Sequence, residues 1–450
     1  MSKNKEVDLL VGIDDKLNII QAFVLGLQHV LAMDLYIVPI ILAGLLSLDT
    51  AHTALFIDMT FIAAGIATLI QAGLGMRLPV MQGPSYVPIG ALAAIGKSLG
   101  LSVMIGSLMP GALIIAVLGY PLRLLGRIIK TLIPPIVAGT VIIVVGIALM
   151  PIALESIYTA PGNVGINGLV AFISAVLLIF FVILGTRLQG AGRFIRLASV
   201  ILALAGGTLF ASLFGSVDFS PVAKAPWIAL PRLLPFGVPV FDFNAVLTLI
   251  FIYFVVLVET TGTWFAVGAV TGAEINDTRL NGGAVGEGLG CLVGSFFGGT
   301  PVTGYSTNAG IIAITGVGSR WAIMAGGVIL IILGMLPKLM NIIACIPGTV
   351  INGVFGVVCV VIAMNGFRVV RQVELDERNM LVVGLPILLT LAATLMPKDL
   401  LYSLPSLVNY LVSSGIAVGA LSAVVLNLII PPAPKTTAQG KSSSNNFDSL

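Results

Sequence analysis

Apolar residues run in long stretches along this chain, separated by short polar or Gly/Pro-rich connections. A helix rises about 1.5 Å per residue, so crossing a hydrocarbon core about 30 Å thick takes about 20 such residues. The runs predict spans at 20–46, 53–73, 84–96, 103–121, 132–153, 164–185, 196–215, 244–268, 280–298, 305–317, 321–336, 341–364, 379–396 and 405–430, fourteen in all. They are not alternating ten-residue segments, which argues against a membrane β-barrel. Helices are then the structures that keep every backbone hydrogen bond satisfied in lipid. The expected fold is an all-α polytopic membrane protein.

Composition points the same way. Hydrophobic residues make up 58% of the 450 residues and charged residues 9%, against about a quarter charged in a soluble domain. The mean hydropathy is +1.12. A soluble fold of this size could not cover its surface with so few charges. Residues 1–19 are polar and no small-residue cleavage site follows them, so no removable signal peptide is expected. Residues 431–450 are rich in Ser, Asn and Lys and read as a disordered tail. Cys291, Cys345 and Cys359 lie in apolar stretches without metal-ligand spacing and read as inert thiols.

Fourteen spans put both termini on one side. With the termini cytoplasmic, five of the 22 basic residues (Lys97, Lys224, Arg232, Lys338 and Lys398) fall outside and the other seventeen inside. That bias follows the positive-inside rule and supports an orientation in a plasma or inner membrane with both ends cytoplasmic.

The two halves correspond. The third span follows Val80-Met81-Gln82-Gly83-Pro84-Ser85-Tyr86, and the tenth follows Gly298-Gly299-Thr300-Pro301-Val302-Thr303-Gly304. Each is third in a set of seven, and an odd number makes the second repeat inverted. Short, interrupted hydrophobic segments at matching positions of two halves mark a transporter's binding site. Two ordinary kinked helices are the plainer reading.

Ionisable groups at membrane depth are costly and so are functional candidates. Five fall within the predicted spans: His29, Asp34, Asp58, Glu259 and Glu287. Glu259 lies mid-span, four residues before Thr263, so both can line one helix face. A carboxylate there could accept two N–H donors from a planar heterocycle, or it could serve only to bond a neighbouring helix. Glu287 sits among Gly286, Gly288 and Gly290, which permit close helix approach. Its ionised form is costly there, which suits a proton carrier; a hydrogen-bonded packing role is the alternative. His29 and Asp34 suggest a polar network with a part in proton coupling, while a structural histidine accounts for the first equally well. Asp58, near the start of its span, carries little functional weight. Tyr305-Ser306-Thr307-Asn308 opens the tenth span, where opposed half-helix N-termini and free backbone groups make a polar pocket. Ser85 and Tyr86 stand at the matching place in the third span. Tyr86 and Tyr36 could stack on a flat ring, although single aromatics in spans are more often packing.

Taken together, these residues resemble the nucleobase–ascorbate transporter family, which includes the xanthine and uracil permeases. The likeness covers residues 20–430. Gln28-His29-Val30-Leu31-Ala32-Met33 is similar to its first-span Gln-His motif, and Glu259-Thr260-Thr261-Gly262 to its Glu-x-x-Gly. Asn308-Ala309-Gly310 through Thr315 is similar to its Asn-x-Gly-x-x-x-x-Thr signature, and Gly316-Val317-Gly318-Ser319-Arg320 continues it. The resemblance implies a core domain (20–121 and 244–336, spans 1–4 and 8–11) and a gate domain (132–215 and 341–430, spans 5–7 and 12–14). It further implies substrate between the short spans, held by Glu259, and Glu287 at the position tied to proton coupling. Movement would be elevator-like, within a homodimer. Departures cluster near the pocket. Thr307 stands where the family has Glu or Gln, Asn352 where it has the first Gly of a Gly-Gly pair, Cys359 where it has an aromatic, and Asp34 and Tyr36 where it has small or apolar residues.

The expected function is import of a nucleobase by cation symport. A purine such as xanthine, hypoxanthine or urate is favoured, with uracil as an alternative. The cation is a proton, or else Na+. Expected substrate-binding residues are Glu259, Thr307, Asn308, Ser306, Tyr86, Ser85, Tyr36 and Thr263; expected coupling residues are Glu287, His29 and Asp34. No catalytic residue, metal, other cofactor or nucleic-acid partner is expected. An anion exchanger or channel of the same fold, or a carrier of another small heterocyclic or polar solute, is the alternative. Glu259 argues against anions, and two histidines without a nucleophile or metal cluster argue against an enzyme.

Overall fold

The computed structural model describes residues 9–188, 191–215 and 217–431. The tail read from the sequence lies, from residue 432 on, outside the described residues. Among the described residues, seven helices are long and apolar enough to cross a membrane: Thr50–Gly73, Leu101–Gly119, Pro135–Tyr158, Val164–Arg187, Phe243–Thr271, Gly348–Val370 and Glu377–Thr394. An eighth crossing is added if Arg320–Gly334 and Pro337–Ala344, bent by 80°, form one span. Shorter apolar helices cover Ile19–Leu31, Ile89–Leu99, Ser199–Ser212 and Gly415–Ile429.

The helices pack in two groups. In one, Ile19–Leu31, Thr50–Gly73, Leu108–Gly119, Asp277–Phe296 and Arg320–Gly334 pack on one another. In the other, Pro135–Tyr158, Val164–Arg187, Ser199–Ser212, Gly348–Val370, Glu377–Thr394 and Gly415–Ile429 do so. The helix Phe243–Thr271, which carries Glu259, touches both. Glycine allows the closest approach in the first group: a Cβ at Gly288 would run into the backbone of Ala112 and Ala116.

Among the described residues the architecture is helical apart from one strand pair and an isolated bridge, Val11 to Val317. Strand β1 (Gln82–Pro84) pairs antiparallel with strand β2 (Val302–Gly304), Gly83 opposite Thr303. Ser85 N to Pro301 O (2.8 Å) and Tyr305 N to Met81 O (3.0 Å) extend the ladder. The pairing disposes of backbone groups that an interrupted span would leave unsatisfied at depth.

The first span is also corrected. It is not continuous over 20–46. The helix Ile19–Leu31 stops, and a second, Ile37–Leu45, starts after Tyr36. Pro39 explains the break. It has no N–H to give to the Leu35 carbonyl, and its ring would clash with that carbonyl in a continuous helix. As the third residue of a new helix it costs nothing, because that N–H would have no intrahelical partner.

Residues 9–16 form a strap over one end of the first group. Leu10 N donates to Gly316 O (2.8 Å), Gly318 N to Val11 O (2.9 Å) and Arg320 N to Ile13 O (3.0 Å). Gly316 takes φ +69°, which a residue with a Cβ resists, and so ends the helix Thr307–Thr315 where the strap meets it. The Arg320 guanidinium donates to Asp14 Oδ1 (2.6 Å) and to the Ala72 carbonyl (3.3 Å). Asp14 is mostly exposed, so solvent screens the ion pair; the buried bond to Ala72 matters more. Arg320→Ala is expected to destabilise the protein by about 1–3 kcal/mol and to expose the N-terminal segment to protease. Limited proteolysis beside a thermal melt checks both.

At another end, the segment 217–242, which includes the short helix Ser220–Lys224, lies across helix termini. Leu234 N donates to Phe296 O (2.8 Å), and Phe236 meets Phe56 edge-on at 5.8 Å. Asp58 is buried near the start of its span and interacts electrostatically with Arg232 of this segment.

Candidate binding site

The paired strands bring the starts of two short helices together. Ile89–Leu99 begins four residues after β1, and Thr307–Thr315 begins two residues after β2. Both helices thus point positive dipole ends towards the place where the strands cross. The helix Phe243–Thr271 runs behind them. Thr260 Oγ1 accepts from Gly304 N (3.0 Å) and Thr263 Oγ1 donates to Gly304 O (2.9 Å). Two threonines one turn apart therefore clamp β2 through both polar groups of a single residue. Gly304 permits this closeness, since a Cβ there would meet Val80, Thr260 and Thr263.

Glu259 projects from this helix into the same place. Its Oε2 accepts from the Ser85 hydroxyl at 2.7 Å, and Ser85 Oγ in turn accepts from Val87 N at 3.1 Å. Glu259 is partly exposed while Ser85 is fully buried. The carboxylate is thus fixed by Ser85 and has Thr303 of β2 beside it.

Asn308 is the hub on the opposite half. Fully buried, its Oδ1 accepts from Met81 N (3.0 Å), and its Nδ2 lies 3.0 Å from His29 Nδ1. It thereby joins the first span, the lead into β1 and the start of Thr307–Thr315. Ser306 Oγ accepts from Asn365 Nδ2 of the second helix group at 3.4 Å. Thr307 is partly exposed and its hydroxyl has no partner. Tyr305 donates to the Pro84 carbonyl at 3.1 Å.

His29 and Asp34 do not form the network the sequence suggested. The break between them sends His29 to Asn308 and Asp34 to Tyr86, whose hydroxyl donates to Asp34 Oδ2 at 2.6 Å. Tyr86 stacks on Phe355 of the second group, ring centroids 5.5 Å apart and planes at 18°. Tyr36 interacts electrostatically with Asp34 and Tyr305 and makes no hydrogen bond to either. It lines a cavity of about 580 Å3 with Leu27, Phe61, Ile201, Leu204 and Met340, and its buried hydroxyl has no partner. Thr263 is occupied with β2 and reaches the site only through the strand.

Glu287 is buried one layer further in. Gln71 Nε2 donates to its Oε2 (3.3 Å) and to Gly283 O (3.1 Å). Gln82, fully buried, stands beside it. Thr68 fixes β1 by accepting from Gln82 N at 2.9 Å. Gln71, Gln82, Thr68 and Thr260 are uncharged and so fall outside a list of ionisable candidates; amides and hydroxyls inside otherwise apolar runs are the signal that finds them. Among the described residues, no three His, Cys, Asp or Glu side chains come together as metal ligands.

Comparison with known proteins agrees with this architecture. The permease family model of xanthine and uracil permeases matches residues 20–399. A putative purine permease of Clostridium perfringens is 32% identical over 439 residues, 96% of this chain and 95% of that protein. The uric acid permease PucK of Bacillus subtilis is 32% identical over 426 residues, 91% and 95% of the two chains. The xanthine permease of Bacillus subtilis is 29% identical over 412 residues, 90% and 92%. In fold, the chain is similar to the transmembrane domain of a cyanobacterial bicarbonate transporter, BicA, with a TM-score of 0.63 at 16% identity, covering 85% of this chain and 98% of that one. With its apolar helices and a family match spanning most of its length, this chain is a multi-pass membrane protein and belongs to the xanthine/uracil permease family.

Proposed function

We propose that this protein is a secondary transporter that imports a purine nucleobase by cation symport, with the proton as the coupling ion. The observation that carries this reading is Glu259: a partly exposed carboxylate, bonded to Ser85, where two short helices begin beside paired strands. A flat ring with N–H groups on one edge suits that carboxylate. The backbone and side-chain groups of Ser306, Thr307 and Asn308 offer complementary donors and acceptors. Several relatives are named as uric acid, xanthine and purine permeases, which supports a nucleobase as substrate.

Glu287, buried behind Thr260 and β1, is the coupling carboxyl in this reading. His29 acts on the site through Asn308. The fourteen-span, inverted-repeat arrangement with both termini cytoplasmic belongs to the same proposal. So do the division into core and gate and an elevator-like displacement in a homodimer. The grouping of helices into two packed sets supports the division, and the contacts Tyr86–Phe355 and Ser306–Asn365 would be exchanged as one set moves against the other.

A thermal-shift screen of the purified protein against purines, pyrimidines, ascorbate and small anions tests the substrate class. A ligand at about 100 times its dissociation constant stabilises by about 2.7 kcal/mol. A shift with a purine that is lost in Glu259→Ala supports the reading. A shift with an anion alone overturns it.

A further inference from the structure

Ser85 and Tyr86 are consecutive, yet each donates to a carboxylate from a different span. Ser85 bonds Glu259 Oε2 at 2.7 Å, and Tyr86 bonds Asp34 Oδ2 at 2.6 Å. As residues, Asp34 and Glu259 are half-buried, whereas Ser85, Tyr86, Tyr305 and Asn308 around them are buried. Tyr305 interacts electrostatically with Asp34 and Glu259 alike, so both acids lie near its hydroxyl. Asp34 also lies just before the N-terminus of Ile37–Leu45, where a negative charge is favoured. The break at Pro39 puts it there: in a continuous helix Asp34 would be one more mid-span residue.

A carboxylate accepts through two oxygens, about four lone-pair sites in all. One donor from Tyr86 or Ser85 leaves capacity for a ligand on each. Neither ion pair described, His52–Asp49 or Arg320–Asp14, touches the site. A ligand here meets two carboxylates and, besides the positive ends of two short helices, no basic side chain in an ion pair described at the site. From this we infer that Asp34 is a second substrate carboxylate, and that the preferred substrate is a neutral, amino-substituted purine of the guanine type. This assignment rests on the nucleobase reading above and narrows it.

The chemistry separates the candidates. Guanine presents a ring N–H beside an exocyclic amino group, an edge made only of donors, and a further N–H on its imidazole ring. Two carboxylates can both be met. On that same edge xanthine and urate replace the amino group with a carbonyl, whose lone pairs would face a carboxylate, and urate is itself an anion at neutral pH. A buried acceptor left facing another acceptor is penalised more heavily than a lost contact. Asp34 therefore selects chiefly by rejecting oxopurines.

The test uses the full chain in liposomes, with uptake of labelled guanine competed by unlabelled guanine, adenine, xanthine and urate. Wild type should be inhibited by guanine at a concentration at least about tenfold below that for xanthine or urate. Asp34→Asn supplies an amide N–H2 that can meet a carbonyl. It should weaken guanine, strengthen xanthine and close most of the gap, a gain that a merely structural role would not produce. Equal or better inhibition of wild type by xanthine or urate overturns the assignment, as does an equal loss for all four bases in Asp34→Asn. Should that variant fail to fold, the wild-type ranking decides alone. If the four compete equally and Glu259→Gln abolishes uptake, only the role of Asp34 falls. If none of them competes and no labelled base is taken up, the nucleobase reading falls with it.

Discussion

Glu259→Gln should lower the apparent affinity for substrate by about tenfold to a hundredfold and abolish uptake at low concentration. The ligand-free protein should melt near the wild-type temperature. The replacement is nearly isosteric, and its amide oxygen can still accept from Ser85. It loses the charge and turns one oxygen into an N–H2 group that faces the donors of the ring. A hydrogen bond to a charged group contributes about 1.5–3 kcal/mol, and each 1.4 kcal/mol is a factor of ten in binding. Uptake by reconstituted protein, measured against substrate concentration, reads the effect directly. Unchanged saturable uptake would mean that Glu259 only ties its helix to Ser85.

Asn308→Ala should be more damaging to the protein itself. The side chain is fully buried and holds the Met81 amide on one side and His29 on the other, each at 3.0 Å. Truncation strands a buried backbone N–H and a buried imidazole, at about 1–3 kcal/mol for each group left unsatisfied. Met81 leads into β1, so the loss reaches the strand pair. A lower melting temperature together with lost transport is expected. Full transport at a wild-type melting temperature would show that the strands hold without this hub.

Much of this was legible in the sequence, because lipid imposes a simple rule on length and polarity. The apolar runs, the two short helices after Gly/Pro segments and the candidate acids Glu259 and Glu287 all come from that rule. The strand pair was not legible. Its register depends on Gln82 meeting Gly304, two positions 222 residues apart, and no local pattern records a partner that far away. The broken first span could have been found. Pro39 inside a helical pattern signals a break or kink, but it lies in an apolar run whose length alone reads as one span. The His29–Asp34 pairing failed for the same reason, since proximity in sequence implies proximity in space only along an unbroken helix. The strap of residues 9–16 carries no periodicity at all. Its bonds run mostly through backbone atoms, to which side-chain patterns are blind.

The pairing of β1 with β2 has a consequence for assembly. Neither strand has a partner until the other is in place, and unpaired backbone at membrane depth is costly. During synthesis, everything before residue 302 must be made and inserted while Gln82–Pro84 waits with open edges. The site is therefore among the last features to form, and its slow, long-range closure is what distinguishes a finished chain from one that has merely been threaded into the bilayer.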